Sequence, residues 1–461
     1  MPTKRHELIT KTAEAPAVVL GRAVLATQMV RDASMQSPLV KKSKNYWLML
    51  GPGLTTGASD DDPSGIATYS QAGAQYGFNT LWLAPFTFPL MAIVQEMCAR
   101  IGLVTGRGLA GNIRVFFGKR ILYFCAALLF MANAFNIGAN LGAMAKAVQL
   151  LQPQFNFGWL VVGFAVFSLL LQVFTPYAKY ARYLKWLALI LLSYILSAIL
   201  AHLDWGDVLK GAVTPHIEFN KEYLILLAAI LGTTISPYLF FWQTSQEVEE
   251  AVQRGQLTVH QREHTHREEV RGMIKSMRID VWSGMFLSNL VMFFIIAAAG
   301  GILFPNGITE ITSAAQAAEA LRPFAGDATY FLFAIGIIGT GLLAIPVLAG
   351  SSSYALSESL RWKEGLYRNL EQARAFYGII IISMLVGLSM NFLGIDPIKA
   401  LIYSAIANAV VAPFVLFAIV RISSSNKFMG PFVNRRFVTW LGWLVFGLMA
   451  ASAVAAIIAL I

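Results

Sequence analysis

Charge is scarce in this chain: 13% of its 461 residues are Asp, Glu, Lys or Arg, against 57% hydrophobic residues. A water-soluble protein carries about 25% charged residues to wet its surface, so a soluble globular domain is excluded. Cysteine is nearly missing. Cys98 and Cys125 both lie inside apolar stretches, which excludes a disulfide framework or a cysteine metal cluster and makes them packing residues. The apolar–polar alternation of a membrane β-barrel is absent. So are a His-Glu metalloprotease pattern, a nucleophile elbow and a phosphate loop, so neither an enzyme nor a cofactor is expected. No signal-cleavage pattern accompanies the apolar piece from Ala15 to Val30, which Arg22 interrupts. Residues 1–45 are therefore expected to form a cytoplasmic segment and residues 46–461 a transmembrane domain.

What is present is a succession of apolar runs, each about 20 residues or longer, at a mean hydropathy of +0.61. They predict an all-α membrane protein with eleven spans, at 46–76, 79–101, 121–150, 158–175, 184–203, 222–246, 281–304, 329–356, 376–394, 398–420 and 437–460. Of the 35 basic residues, 30 fall in the amino-terminal segment and in alternate loops, leaving Lys146, Lys210, Lys221, Arg322 and Lys399 elsewhere. That asymmetry predicts a multi-pass plasma (inner) membrane protein with its amino terminus in the cytoplasm and its carboxyl terminus outside. The net charge of +10 then faces a lipid bilayer, and nucleic acid is not called for. Nothing in the chain sets its oligomeric state.

Two spans break their own rules. The first contains Asp60, Asp61 and Asp62, followed by Pro63-Ser64-Gly65. Intramembrane carboxylates are costly and mark function; proline removes a backbone donor and glycine accepts non-helical dihedrals. Gly51, Pro52, Gly53 and Gly57 are expected to loosen the preceding turns. Carboxylates, freed carbonyls and the negative end of a half-helix together favour a cation, with Asp62, which abuts the proline, as the best ligand. The plainer reading, aspartates capping a helix at the membrane surface, fits less well because Ile66-Ala67-Thr68-Tyr69 continues without a charged loop.

The sixth span carries Gly232-Thr233-Thr234-Ile235-Ser236-Pro237. Alone this is a kink. Interruptions at the first helix of each set of five instead point to an inverted repeat, spans 1–5 and 6–10 plus one extra helix, with a site at the midplane. Glu96 and Arg100, four residues apart, are expected to pair as a structural or gating contact. Asp280, next to Arg278, reads as interfacial, and His260-Gln-Arg-Glu-His264-Thr-His266 as a solvated loop matching no tetrahedral zinc site.

Gly51-Pro52-Gly53 with Asp62-Pro63-Ser64-Gly65, the stretch from Ala99 to Arg107, and Gly232 to Pro237 together resemble the NRAMP divalent-metal transporters. The resemblance extends over almost the whole chain from about Lys44 and implies a LeuT-like fold and divalent-cation transport. The family's Asp-Pro-Gly-Asn and Met-Pro-His motifs place the metal site at Asp62, Gly65, Thr233 and Ser236, with Gly65 replacing asparagine and Ser236 replacing methionine. Asp60, Asp61 and Asn408 are further metal or vestibule candidates, Asn408 standing one turn beyond Ala405, which replaces a family glutamine. Positions the family uses for protons are Asn136, Ala139, Tyr238 and Gln243, none able to shuttle a proton near neutral pH. Hard oxygen donors and lost thioether favour magnesium over later metals, so the pattern resembles the NRAMP-related magnesium branch, without strong proton coupling. The alternatives are a proton-coupled manganese or iron importer and a LeuT-type carrier of a small organic substrate.

Overall fold

The computed structural model describes residues 46, 47, 49–175, 177–255, 267–311, 314–393 and 397–460. The amino-terminal segment and the His260–His266 loop lie outside the described residues. The chain divides into two compact units, Met1–Leu50 and Gly51–Ile461. The described part of the first is a helical turn, in which the Leu50 amide donates to the Tyr46 carbonyl at 3.2 Å.

All regular structure among the described residues of the second unit is helical: α1 Pro52–Asp60, α2 Pro63–Tyr76, α3 Leu83–Thr105, α4 Leu109–Phe117, α5 Lys119–Leu151, α6 Phe157–Phe174, α7 Tyr177–Leu187, α8 Leu192–Leu200, α9 Trp205–Val213, α10 Lys221–Thr234, α11 Pro237–Gln253, α12 Arg267–Ile302, α13 Ala314–Leu360, α14 Arg374–Met390, α15 Pro397–Ser423, α16 Asn426–Met429 and α17 Arg436–Leu460. Among the described residues eight helices are long and apolar enough to cross a membrane, or nine if the bent pair Ala407–Ser423 and Asn426–Phe432 is one span. This falls short of the eleven expected. The first expected span is divided into α1 and α2, of 9 and 14 residues, α14 has 17, and α15 qualifies only with its bent partner.

At the centre α1 packs with α11 and α2 with α10; α3, α5, α12 and α13 surround α1, α2 and α11, while α10 packs against α15 and α17. Outer helices turn large apolar side chains outward: Trp159 is 78% exposed, Phe174 70% and Phe437 67%. In water such a surface would drive aggregation; in lipid it is solvated.

The glycines of α1 do something other than loosen it, since residues 52–60 form a regular helix. A Cβ on Gly53 would stand 2.5 Å from the Val281 backbone nitrogen, and one on Gly57 would strike the Gly284 backbone. Their missing side chains let α1 and α12 approach backbone to backbone. Asp280 is likewise corrected: it is 2% exposed rather than interfacial. Its carboxylate accepts the amides of Gly51 and Gly53, both at 2.7 Å, and Leu54 at 3.0 Å. It thus caps α1 from another helix, next to the positive end of the α1 dipole. Replacing Asp280 with alanine is expected to cost about 2–4 kcal/mol by stranding those donors. Thermal unfolding in detergent should show a lower midpoint that Asp280→Asn partly restores.

Candidate metal-binding site

The two breaks have the same backbone form. α1 stops at Asp61 (φ −83°, ψ 52°), and Asp62 is extended (φ −72°, ψ 168°) before Pro63 opens α2. α10 stops at Ile235 (φ −112°, ψ 61°), and Ser236 is extended (φ −81°, ψ 129°) before Pro237 opens α11. Asp62 therefore corresponds to Ser236, residue for residue, as a repeat requires. Two tyrosines join the breaks reciprocally. The Tyr238 hydroxyl of α11 donates to the Ser59 carbonyl of α1 at 2.9 Å, while Tyr69 of α2 shares a 3.1 Å hydrogen bond with Thr234 of α10.

The three aspartates are buried, none more than 1% exposed, and their surroundings differ. Asp62 caps α2: its Oδ1 accepts the amides of Ser64 at 2.9 Å and Gly65 at 3.0 Å and the Ser64 hydroxyl. Its Oδ2 accepts the side-chain amides of Asn136 at 2.9 Å and Asn140 at 3.0 Å, both from α5. Asp62 does cap a helix, then, but in the interior and not at a membrane surface. Asp60 and Asp61 have almost nothing. Ser288 of α12 donates to Asp60 Oδ2 at 3.0 Å; Asp60 Oδ1 and both Asp61 oxygens have no hydrogen-bond partner. These two carboxyl groups stand at the carboxyl end of α1, where the helix dipole repels negative charge. Among the described residues no lysine, arginine or histidine pairs with any of the three, and no three His, Cys, Asp or Glu side chains form a metal cage. Asp62 turns toward α2 and α5, away from such a cluster.

The other expected positions are partly brought together. A Cβ on Gly65 would meet Thr233 Oγ1 at 3.2 Å, Tyr69 Cε2 at 3.3 Å and the Asp60 carbonyl at 3.4 Å, so Gly65 and Thr233 face each other across the breaks. The Ser236 hydroxyl instead donates to its own helix, to the carbonyls of Thr233 at 2.7 Å and Gly232 at 3.0 Å. Ala139 and Asn408 are buried, Asn408 Oδ1 without a partner. Gln243 donates to Glu247 at 2.8 Å, an acid of α11 that the motif comparison passed over. The Glu96–Arg100 pair is loose at 3.9 Å. Glu96 instead accepts from Arg278 and from the Trp282 ring nitrogen, both at 2.8 Å, and Arg100 turns to Asn434, so both side chains serve contacts between helices. The spacing Asn133, Asn136, Asn140 places the asparagines on one face of α5, a signal for Asn140 that the sequence did carry. Ser288 offered none.

Beside the breaks, a cavity of about 320 Å³ is lined by Thr68, Gln71, Gln75, Glu222 and Glu310 together with apolar side chains. Thr68 donates to the Ser64 carbonyl at 2.8 Å, one turn from Asp62.

Paired broken helices with buried carboxylates at the break define a polytopic membrane protein of LeuT-like fold, and comparison with known proteins agrees. The chain aligns with the manganese transporter of Eremococcus coleocola at a TM-score of 0.71 and 20% identity, covering 89% of this chain and 86% of that one. It aligns with Mhp1, a nucleobase-cation-symport-1 family transporter, at a TM-score of 0.52 and 15% identity, covering 89% and 91%. Residues 53–459 match the family described as Nramp, natural resistance-associated macrophage protein-like; the chain belongs to that family. Among its relatives, the divalent metal cation transporter MntH of Klebsiella pneumoniae is 26% identical over 412 residues, 87% of this chain and 92% of that protein. The protein of the same name from Deinococcus radiodurans is 27% identical over 402 residues, 86% of each chain.

Proposed function

We propose that this chain carries divalent cations across the plasma membrane by alternating access, with magnesium as the preferred ion. The observation that carries the reading is a pair of buried carboxyl groups, Asp60 and Asp61, that stand at a broken helix with no basic side chain beside them. Buried carboxylates without a protein cation call for an external one, and a doubly charged ion matches two of them. The family's divalent-metal relatives support the class. The choice of magnesium rests on the oxygen-bearing side chains at the two breaks (Asp60, Asp61, Asp62, Thr233, Ser236) and on the loss of a thioether where Ser236 stands. The cavity at Thr68 and Glu222, about 320 Å³, has room for an ion with a full shell of six waters, which at about 30 Å³ each need about 180 Å³. With the amino terminus inside, that cavity opens to the exterior. Membrane potential would then drive entry, at about 2.3 kcal/mol per charge per 100 mV.

A second reading, proton-coupled manganese transport, is favoured by one feature: Glu247 beside Gln243 puts a titratable group where the replaced histidine position had none. Flux into proteoliposomes loaded with a pH dye separates the two. Magnesium uptake that competes with manganese and leaves the lumen pH unchanged is expected; manganese uptake with acidification and no magnesium flux overturns the first reading. The paired change Gly65→Asn with Ser236→Met should raise manganese affinity relative to magnesium about tenfold, equivalent to about 1.4 kcal/mol. An unchanged ratio in a competition assay would remove both positions from ion selection. The asparagine requires Thr233 and Tyr69 to give by a few tenths of an ångström, judged from the 3.2 and 3.3 Å contacts at Gly65.

A further inference from the structure

Asn136 and Asn140 lie one helical turn apart on α5 and send both side-chain amides to the same atom, Asp62 Oδ2, at 2.9 and 3.0 Å. Both asparagines are buried, at 1% and 0% exposure, and the amide oxygen of each has no partner. Two unpaired buried acceptors side by side are a costly arrangement, and the same two groups at an aspartate ask for a reason. Amide ends are close to symmetric: a half-turn about the terminal torsion, which is broad and two-fold, exchanges nitrogen and oxygen in place. After the turn, Asp62 Oδ2 and the two asparagine Oδ1 atoms face one point as three hard acceptors. That set suits a divalent cation.

We propose that Asn136 and Asn140 are ligands of the transported ion, presenting their amide oxygens beside Asp62 by that half-turn. This rests on the cation site argued above and extends it to α5. Without an ion the amide donors hydrogen-bond Asp62; with an ion they turn and coordinate it. The device exchanges hydrogen-bond donors for a cation without moving a backbone and without a proton. It suits an ion that binds oxygen, and carboxylates at the same two positions would not supply the donor half of the exchange.

The test uses the full chain in lipid nanodiscs with manganese as a paramagnetic probe, its binding competed by magnesium. Protein labelled with carbon-13 at asparagine side-chain carbonyls is expected to show an electron–nuclear coupling to the bound ion. The coupling should vanish in the double variant Asn136→Leu, Asn140→Leu, whose manganese affinity should fall at least tenfold. Asn136→Asp carries the same test if the leucine pair does not fold: a ligand role keeps or tightens manganese binding, because an oxygen remains. A role limited to donating to Asp62 predicts weaker binding in that variant and overturns the proposal. Manganese bound to wild-type protein without any carbon-13 coupling, or with a coupling that survives in the leucine pair, overturns it too and leaves the cation site standing. No manganese binding at all overturns the site itself, and the ligand role with it.

Discussion

Asp61→Asn is expected to abolish divalent-cation flux while leaving the protein at least as stable as the parent in metal-free buffer. The sign is the informative part. Most buried polar side chains are held by partners, so their loss destabilises. Neither Asp61 oxygen has a partner, and the group sits at the carboxyl end of α1 beside Asp60. Replacing a buried carboxyl group that must either carry an unpaired charge or take up a proton relieves a cost and gives up no hydrogen bond of the fold. Divalent cation should reverse the order. At a concentration about 100-fold above its dissociation constant the ion adds about 2.7 kcal/mol to the parent and much less to the variant. Thermal unfolding with and without magnesium, alongside proteoliposome flux, reads both effects. A variant destabilised without metal, or one that keeps the full magnesium-dependent gain, would show that Asp61 is held by groups of the protein and not by the ion. Asp60→Asn should behave similarly but less cleanly, because Ser288 donates to one of its oxygens at 3.0 Å.

How much of this was legible in the sequence depended on the distance over which the cause acts. Helix positions follow from apolar runs, a local property, and nearly every expected span has its helix. Both breaks were visible because proline, glycine and unexpected polarity sit within a few residues of one another at Asp62-Pro63 and Ser236-Pro237. Long-range causes were not visible. The glycines of α1 looked like sites of slack; their reason is the α12 backbone, more than 220 residues further along the chain. Asp280 read as interfacial because its neighbour is Arg278, whereas its partners are the amides of Gly51, Gly53 and Leu54. Glu96 and Arg100 have the spacing of a helix-face pair, yet the nearby Arg278 and Trp282 offer Glu96 shorter bonds. Sequence spacing sets which groups can meet on one helix. It is silent about a better partner on another.

The same distinction governs Asp62, whose side chain has two separable jobs. Asp62→Ala removes the cap of α2 and strands the Ser64 and Gly65 amides, which it accepts at 2.9 and 3.0 Å. The cap alone is worth about 1 kcal/mol, and each stranded buried donor costs about 1–3 kcal/mol more. Alanine should therefore lower stability by several kcal/mol and abolish flux, so that lost flux in this variant says little about the ion. Asparagine separates the jobs. It caps a helix about as well as aspartate, and its side-chain nitrogen can be received by Asn136 and Asn140, whose amide oxygens are unpaired. Asp62→Asn should unfold within about 1 kcal/mol of the parent, since the hydrogen bonds are exchanged and not lost, while its flux falls at least 100-fold, the effect of removing the anion from the ion's path. Flux near the parent level in Asp62→Asn would mean that the charge at this position does not serve transport. An alanine variant as stable as the asparagine variant would mean that the five hydrogen bonds converging on Asp62 do not hold the break together.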